Sequence, residues 1–92
     1  MNILALRTYI EEQEEISYPE LNALLNLLTE EMNKEHSTMV EGLAVYNLRM
    51  KVNGMLRELK DSMTTQDITN EENLMQARRG DLQQYTEMVK GI

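Results

Sequence analysis

Apolar positions in this chain recur at steps of three and four along most of its length. The longest such stretch, Thr38 to Met63, is laid out on a coiled-coil rhythm. Val45, Leu48, Val52, Met55 and Leu59 alternate between the two steps, the spacing that draws a single apolar seam along a helix. A second, shorter stripe of Leu43, Tyr46 and Met50 lies roughly opposite the N-terminal end of that seam. A helix that is apolar on two sides is either sandwiched within a bundle or shared between a core and a partner chain.

The same reading divides the rest of the chain into helices and finds no segment with the sustained alternation of a strand. Helix 1 is expected over about 2–15, with Ile3, Leu6 and Ile10 on one face. The segment Ser17-Tyr18-Pro19-Glu20 reads as a restart. Ser17 caps, Glu20 completes a capping box, and Pro19 fits a first turn whose amides lack partners. Helix 2 then runs over about 18–34, with Leu21, Leu24, Leu25, Leu28 and Met32 as its apolar face. Thr38 and Glu41 form a second capping box and open helix 3, over about 38–63. Asn53-Gly54 is a common turn pair, yet the rhythm passes through it in phase, which favours a continuous helix. Thr64 to Thr69 reads as a polar loop. Thr69 and Glu72 make a third capping box, and helix 4 follows over about 70–90. Its face is Met75, Leu82, Tyr85, Val89 and Ile92, interrupted by Arg78.

Short links favour antiparallel neighbours. The expected fold is therefore all-α, a small antiparallel bundle of about four helices in a single domain spanning 1–92. The third helix is long and carries the coiled-coil-like seam. At 92 residues the chain buries roughly 60–65% of its potential surface, so a self-associating partner would add useful stability. Cysteine is absent, which removes disulfides and thiolate chemistry and suits a reducing compartment. No apolar run approaches the roughly 18 residues of a membrane span or forms a signal peptide, so a soluble cytoplasmic protein is expected.

Charge changes this picture in one respect. The formal net charge is −7, and the whole excess sits in residues 1–45, where nine acidic side chains face only Arg7 and Lys34. Glu11, Glu12, Glu14 and Glu15 crowd the end of helix 1, negative charge at the negative pole of the helix dipole. Helix 1 should therefore need support, and Arg49, Lys51, Arg57 and Lys60 on helix 3 are the obvious basic counterparts. An acidic balance argues against direct nucleic-acid or anionic-membrane binding, which needs clustered Lys and Arg. Arg78-Arg79 comes with no groove-reading aromatic pattern.

Candidate chemistry is sparse. His36 is the only histidine and lacks the helically spaced companions of a metal site. The oxygen ligands of Asp67 to Glu72 lack the glycine and closing glutamate of an EF-hand, and helix capping explains them better. The paired glutamates near residue 12 could do acid–base work only if convergent and partly buried. Gly42 and Gly80 fall inside helical patterns, through either tolerance or close approach by a neighbouring helix. Neither a cofactor nor a catalytic residue is expected. Eight methionines beside four tyrosines, with no Trp or Phe, suit core filling and equally an adaptable docking surface.

The function expected from these residues is that of a non-enzymatic helical interaction or assembly protein. It would self-associate, most simply as a dimer, through the seam of Val45, Leu48, Val52, Met55, Leu59, Leu82, Tyr85 and Val89. Leu43, Tyr46 and Met50 form a second candidate contact. The rival reading is an acidic inhibitor whose glutamates occupy the nucleic-acid-binding groove of a basic protein. In size, acidity and helicity the chain resembles small accessory proteins of phages and mobile elements, a likeness of type that no motif carries. A small structural component of a larger particle is the third reading.

Overall fold

A computed structural model describes residues 2–34 and 38–92. Five helices follow in order: α1 (Ile3–Glu12), α2 (Tyr18–Met32), α3 (Met39–Asp61), α4 (Thr65–Ala77) and α5 (Arg79–Lys90). No strand occurs among the described residues.

α1 begins where Asn2 accepts the amide of Ala5 at 3.1 Å, and it stops at Glu12, three residues short of the expected end. Gln13 turns to extended backbone. With Glu11, Glu12, Glu14 and Glu15 at the pole where helix carbonyls already concentrate negative charge, continuing the helix would be unfavourable. Ile16, in the link, and Tyr18, the first residue of α2, are nonetheless buried and fasten the connection to the core. Ser17 caps α2 through the Glu20 amide, with Pro19 in the first turn.

α2 is the central element, packed against α3, α4 and α5. Leu21, Leu24 and Leu28 are buried as their spacing requires. Two positions differ from the expected face: Met32 is exposed, and Leu27 is buried in its place. A helix covered on more than one side needs a broader apolar arc than one stripe, and Leu27 supplies it.

Thr38 caps α3 by accepting the Glu41 amide at 3.1 Å, and the helix runs unbroken through Asn53 and Gly54. Val45, Leu48 and Val52 are buried. Beyond them burial passes to Leu56, while Met55 and Leu59 pack half-buried against the core. An α-helix drifts by about 20° per heptad against a strict 3.5-residue repeat. That is a fraction of the roughly 100° between successive residues, so Met55 and Leu56 fall on either side of the inward line, and the packing of the neighbouring helices buries Leu56.

The C-terminal third corrects the expected architecture. The segment expected as a polar loop opens α4, and what was expected as one helix over 70–90 is part of two. The capping box is Thr64 with Asp67: Thr64 Oγ1 accepts the Asp67 amide and Asp67 Oδ2 accepts the Thr64 amide, each at 3.1 Å. Thr69 lies inside α4 and donates its hydroxyl to the Thr65 carbonyl. A Thr-x-x-Glu spacing is compatible with a helix interior as well as a start, and aspartate at the third position closed the earlier box. At Arg78 the backbone leaves helical geometry (φ −106°, ψ 28°), although its amide still reaches Leu74 and its carbonyl accepts from Leu82. The result is a kink, with Gly80 just beyond it. The kink lets Ile68 and Met75 of α4 and Tyr85 and Val89 of α5 all pack on one core.

Candidate protein interaction surface

Sequence periodicity leaves two apolar faces on α3, and the structure assigns them differently. Val45, Leu48, Val52 and, on α5, Val89 are buried under helices of the same chain. Met55, Leu59, Leu82 and Tyr85 are half-buried, and all but Leu82 are among the side chains packed on the core cluster. Leu43, Tyr46 and Met50, in contrast, are 55%, 45% and 52% exposed.

That exposed stripe is longer than its three expected members. Met39 continues it at the N-terminal end, giving Met39, Leu43, Tyr46 and Met50 at steps of four, three and four. Val40 flanks it, and Leu4 of α1 lies beside Val40 along a shared groove. Met39, Val40 and Leu4 are all more than two-thirds exposed. Met39 was detectable in sequence as one more step of the same rhythm. Leu4 was not, because Ile3, Leu6 and Ile10 account for the apolar face of α1 and leave it aside.

The groove between α1 and α3 has a volume of about 390 Å³. Ile3, Leu4, Val40, Leu43, Ala44 and Leu48 line its apolar length, and Arg7 and Lys51 stand at its polar end. Both cations converge on Glu11: Lys51 Nζ donates to Oε1 at 3.0 Å and Arg7 Nε donates to the same oxygen at 3.1 Å. The Lys51 hydrogen bond, then that of Arg7, holds the Glu11 carboxyl below its ordinary value. Of the four clustered glutamates, only Glu11 forms an ion pair; Glu12, Glu14 and Glu15 are exposed and form none among the described residues. Of the other expected helix 3 bases, Arg57 is exposed and makes no ion pair among the described residues, and two serve elsewhere. Arg49 Nε donates to Thr29 Oγ1 at 3.0 Å, and Lys60 sits 5.9 Å from the Tyr18 ring centre.

The stripe is poor in charge. From Gly42 to Leu48 there is no ionisable side chain except the Tyr46 phenol, and Glu41 and Arg49 bound the interval. A solvent-facing helix surface ordinarily carries charged side chains along each turn. Contiguous exposed apolar residues on a small protein mark contact sites.

The remaining candidates resolve as structure. Asp67 to Glu72 lies within α4, where Asp67 serves the cap. Arg78 is exposed and donates to Asp81 at 3.3 Å, so it does not interrupt an apolar seam. A Cβ added at Gly80 would meet nothing within 4 Å, which removes close helix approach as its reason. His36 lies outside the described residues. Among the described residues no three His, Cys, Asp or Glu side chains gather as metal ligands would, and no helix is long and apolar enough to cross a membrane. Burial, then the neighbouring Tyr9 and Glu20, pushes the Tyr85 phenol upward, and Tyr9 and Tyr85 both pack half-buried on the core.

The chain matches no protein-family model, no curated protein and no solved structure.

Proposed function

We propose that this protein is a non-enzymatic interaction and assembly protein that works through helix-mediated contact, with the exposed face of α3 as its docking surface. In this reading the helices form one small bundle of antiparallel neighbours acting in the cytoplasm. The buried seam holds that bundle together and leaves the opposite stripe for a partner. One observation carries the reading: Met39, Val40, Leu43, Tyr46 and Met50 stand exposed along three turns of a capped helix. Met and Tyr are residue types favoured at contact surfaces, being large and either adaptable or amphipathic.

The test is the double variant Leu43→Asp/Tyr46→Asp. Helicity and melting temperature should stay near the unmodified protein, because both positions are about half exposed in the chain alone. Proteins captured from the native host by the unmodified chain, or its own apparent mass by light scattering, should be lost or reduced. A variant that folds normally and alters neither would overturn the reading.

A second reading keeps one supporting observation. Glu12, Glu14 and Glu15 project into solvent without internal ion pairs among the described residues, as an acidic inhibitor of a basic nucleic-acid-binding protein would require. Association led by those charges weakens as added salt screens them, whereas apolar docking through α3 survives.

A further inference from the structure

We infer that Asn53-Gly54 is a self-modification site: when the middle of α3 opens, Asn53 loses its side-chain amide and becomes isoaspartate, which divides the helix permanently.

Of the asparagines in this chain, Asn53 alone is followed by glycine; the others precede Ile, Ala, Leu, Lys or Glu. Glycine has no Cβ to hinder approach to its own backbone nitrogen. The reaction needs neither catalyst nor oxidant. The Gly54 amide nitrogen gives up its proton and attacks Asn53 Cγ. A C–N bond forms, the Cγ–Nδ2 bond breaks, and ammonia leaves a cyclic succinimide. Water then opens the ring at either carbonyl, to aspartate or to isoaspartate. The net change is amide plus water to acid plus ammonia.

Packing gives no reason for this glycine. Gly54 is exposed and an added Cβ meets nothing within 4 Å, and alanine is the better helix former. Asn53 is half-buried, and its side-chain amide makes no hydrogen bond among the described residues. What restrains the pair is the helix itself. Within α3 the Gly54 N–H is spent on the carbonyl four residues back. The helical ψ of about −42° keeps Asn53 Cγ from closing the ring. The site is therefore silent in the folded helix and reactive in an open one.

The consequence follows from the residues on either side. Val52 is 0% exposed and Leu56 is 4% exposed, both in the core. Isoaspartate routes the main chain through its own Cβ and Cγ, which adds one backbone carbon between them. The hydrogen-bond ladder loses register there, and Leu56 no longer falls on the seam of Val45, Leu48 and Val52. Hydrolysis does not restore the amide, so a single opening suffices. Ordinary aspartate leaves the backbone unchanged. At position 53 it lies one turn from both Arg49 and Arg57, a favourable spacing on a helix, and that product keeps the fold.

Trypsin releases residues 52–57 as one peptide, whose asparagine, aspartate and isoaspartate forms separate by chromatography and mass. The full chain is incubated at physiological temperature in mildly alkaline buffer, native and in urea. Conversion at Asn53 should be at least about a hundredfold slower in the native chain, because a packed helix is open in only a small fraction of molecules. Leu48→Ala, which loosens α3, should speed native conversion at least about tenfold. Gly54→Ala should suppress conversion in urea as well. The purified isoaspartate form should melt well below the unmodified chain, whereas Asn53→Asp should melt near it.

Conversion as fast in the native chain as in urea, or first at another asparagine, would overturn Asn53-Gly54 as a site governed by α3. An isoaspartate form that melts with the unmodified chain would overturn the division of the helix.

Discussion

Truncating Leu48 and truncating Tyr46, two positions apart on one helix, should have opposite consequences. Leu48 is 3% exposed and lies between α3 and the chain's own core, whereas Tyr46 is 45% exposed on the far side. Leu→Ala at a buried site costs about 2–5 kcal/mol, the lost transfer energy plus the cavity left behind. Alanine is at least as good a helix former as leucine, so helix propensity adds nothing to the loss. For a chain of this length the total stability is about 5–14 kcal/mol, so Leu48→Ala at about 3 kcal/mol removes a large share. Since 1 kcal/mol shifts Tm by about 4–8 °C in domains of this size, the melt should fall by about 12–24 °C. Tyr46→Ala should cost within about 1 kcal/mol in the monomer, as most surface changes do. Thermal melts followed by far-UV circular dichroism, repeated over a range of protein concentrations, measure both. The Leu48→Ala loss should persist at every concentration, and any Tyr46→Ala loss should fade on dilution. If Tyr46→Ala destabilises the dilute protein as much as Leu48→Ala does, the assignment of inner and outer faces is wrong.

Gly54→Ala should raise stability by about 1 kcal/mol, since Gly54 sits mid-helix and an added Cβ meets nothing within 4 Å; a lower melting temperature would mean that α3 is bent or broken there. Thr64→Ala removes the hydroxyl that caps α4 and should cost about 1 kcal/mol, with faster amide exchange confined to the first turn of α4. Glu11→Gln should flatten the acid side of the stability profile. The folded carboxyl titrates below its ordinary value of 4.5 because of Lys51 and Arg7, so its contribution is present above that pH and is lost as pH falls through the folded value. A melting temperature that declines between neutral and acid pH as steeply in Glu11→Gln as in the unmodified chain would show that this cluster does not couple to folding.

Local chemistry determined the helical class and much of the inventory. Three-four spacing marked Leu21, Leu24 and Leu28 as the inner face of α2. The caps at Ser17 and Thr38 fall where hydroxyls precede apolar periodic runs, and in-phase spacing carried α3 through Asn53-Gly54. These features depend on a few neighbouring residues, which is why a linear chain reveals them. The choice between the two α3 stripes does not. Val45-Leu48-Val52 and Leu43-Tyr46-Met50 have the same period and similar hydrophobicity, and only the packing of α2 against one of them makes it the inside. The same holds for Leu27 and Leu56, whose burial in the core depends on which neighbouring helices cover that side of α2 and α3. It holds too for the kink at Arg78, where packing both α4 and α5 on one core outweighs the continuity their sequence allows. The candidate surface was therefore half legible: Leu43, Tyr46 and Met50 follow from the rhythm of α3, whereas Leu4 and the exposure of the whole stripe followed from which side the rest of the chain covered.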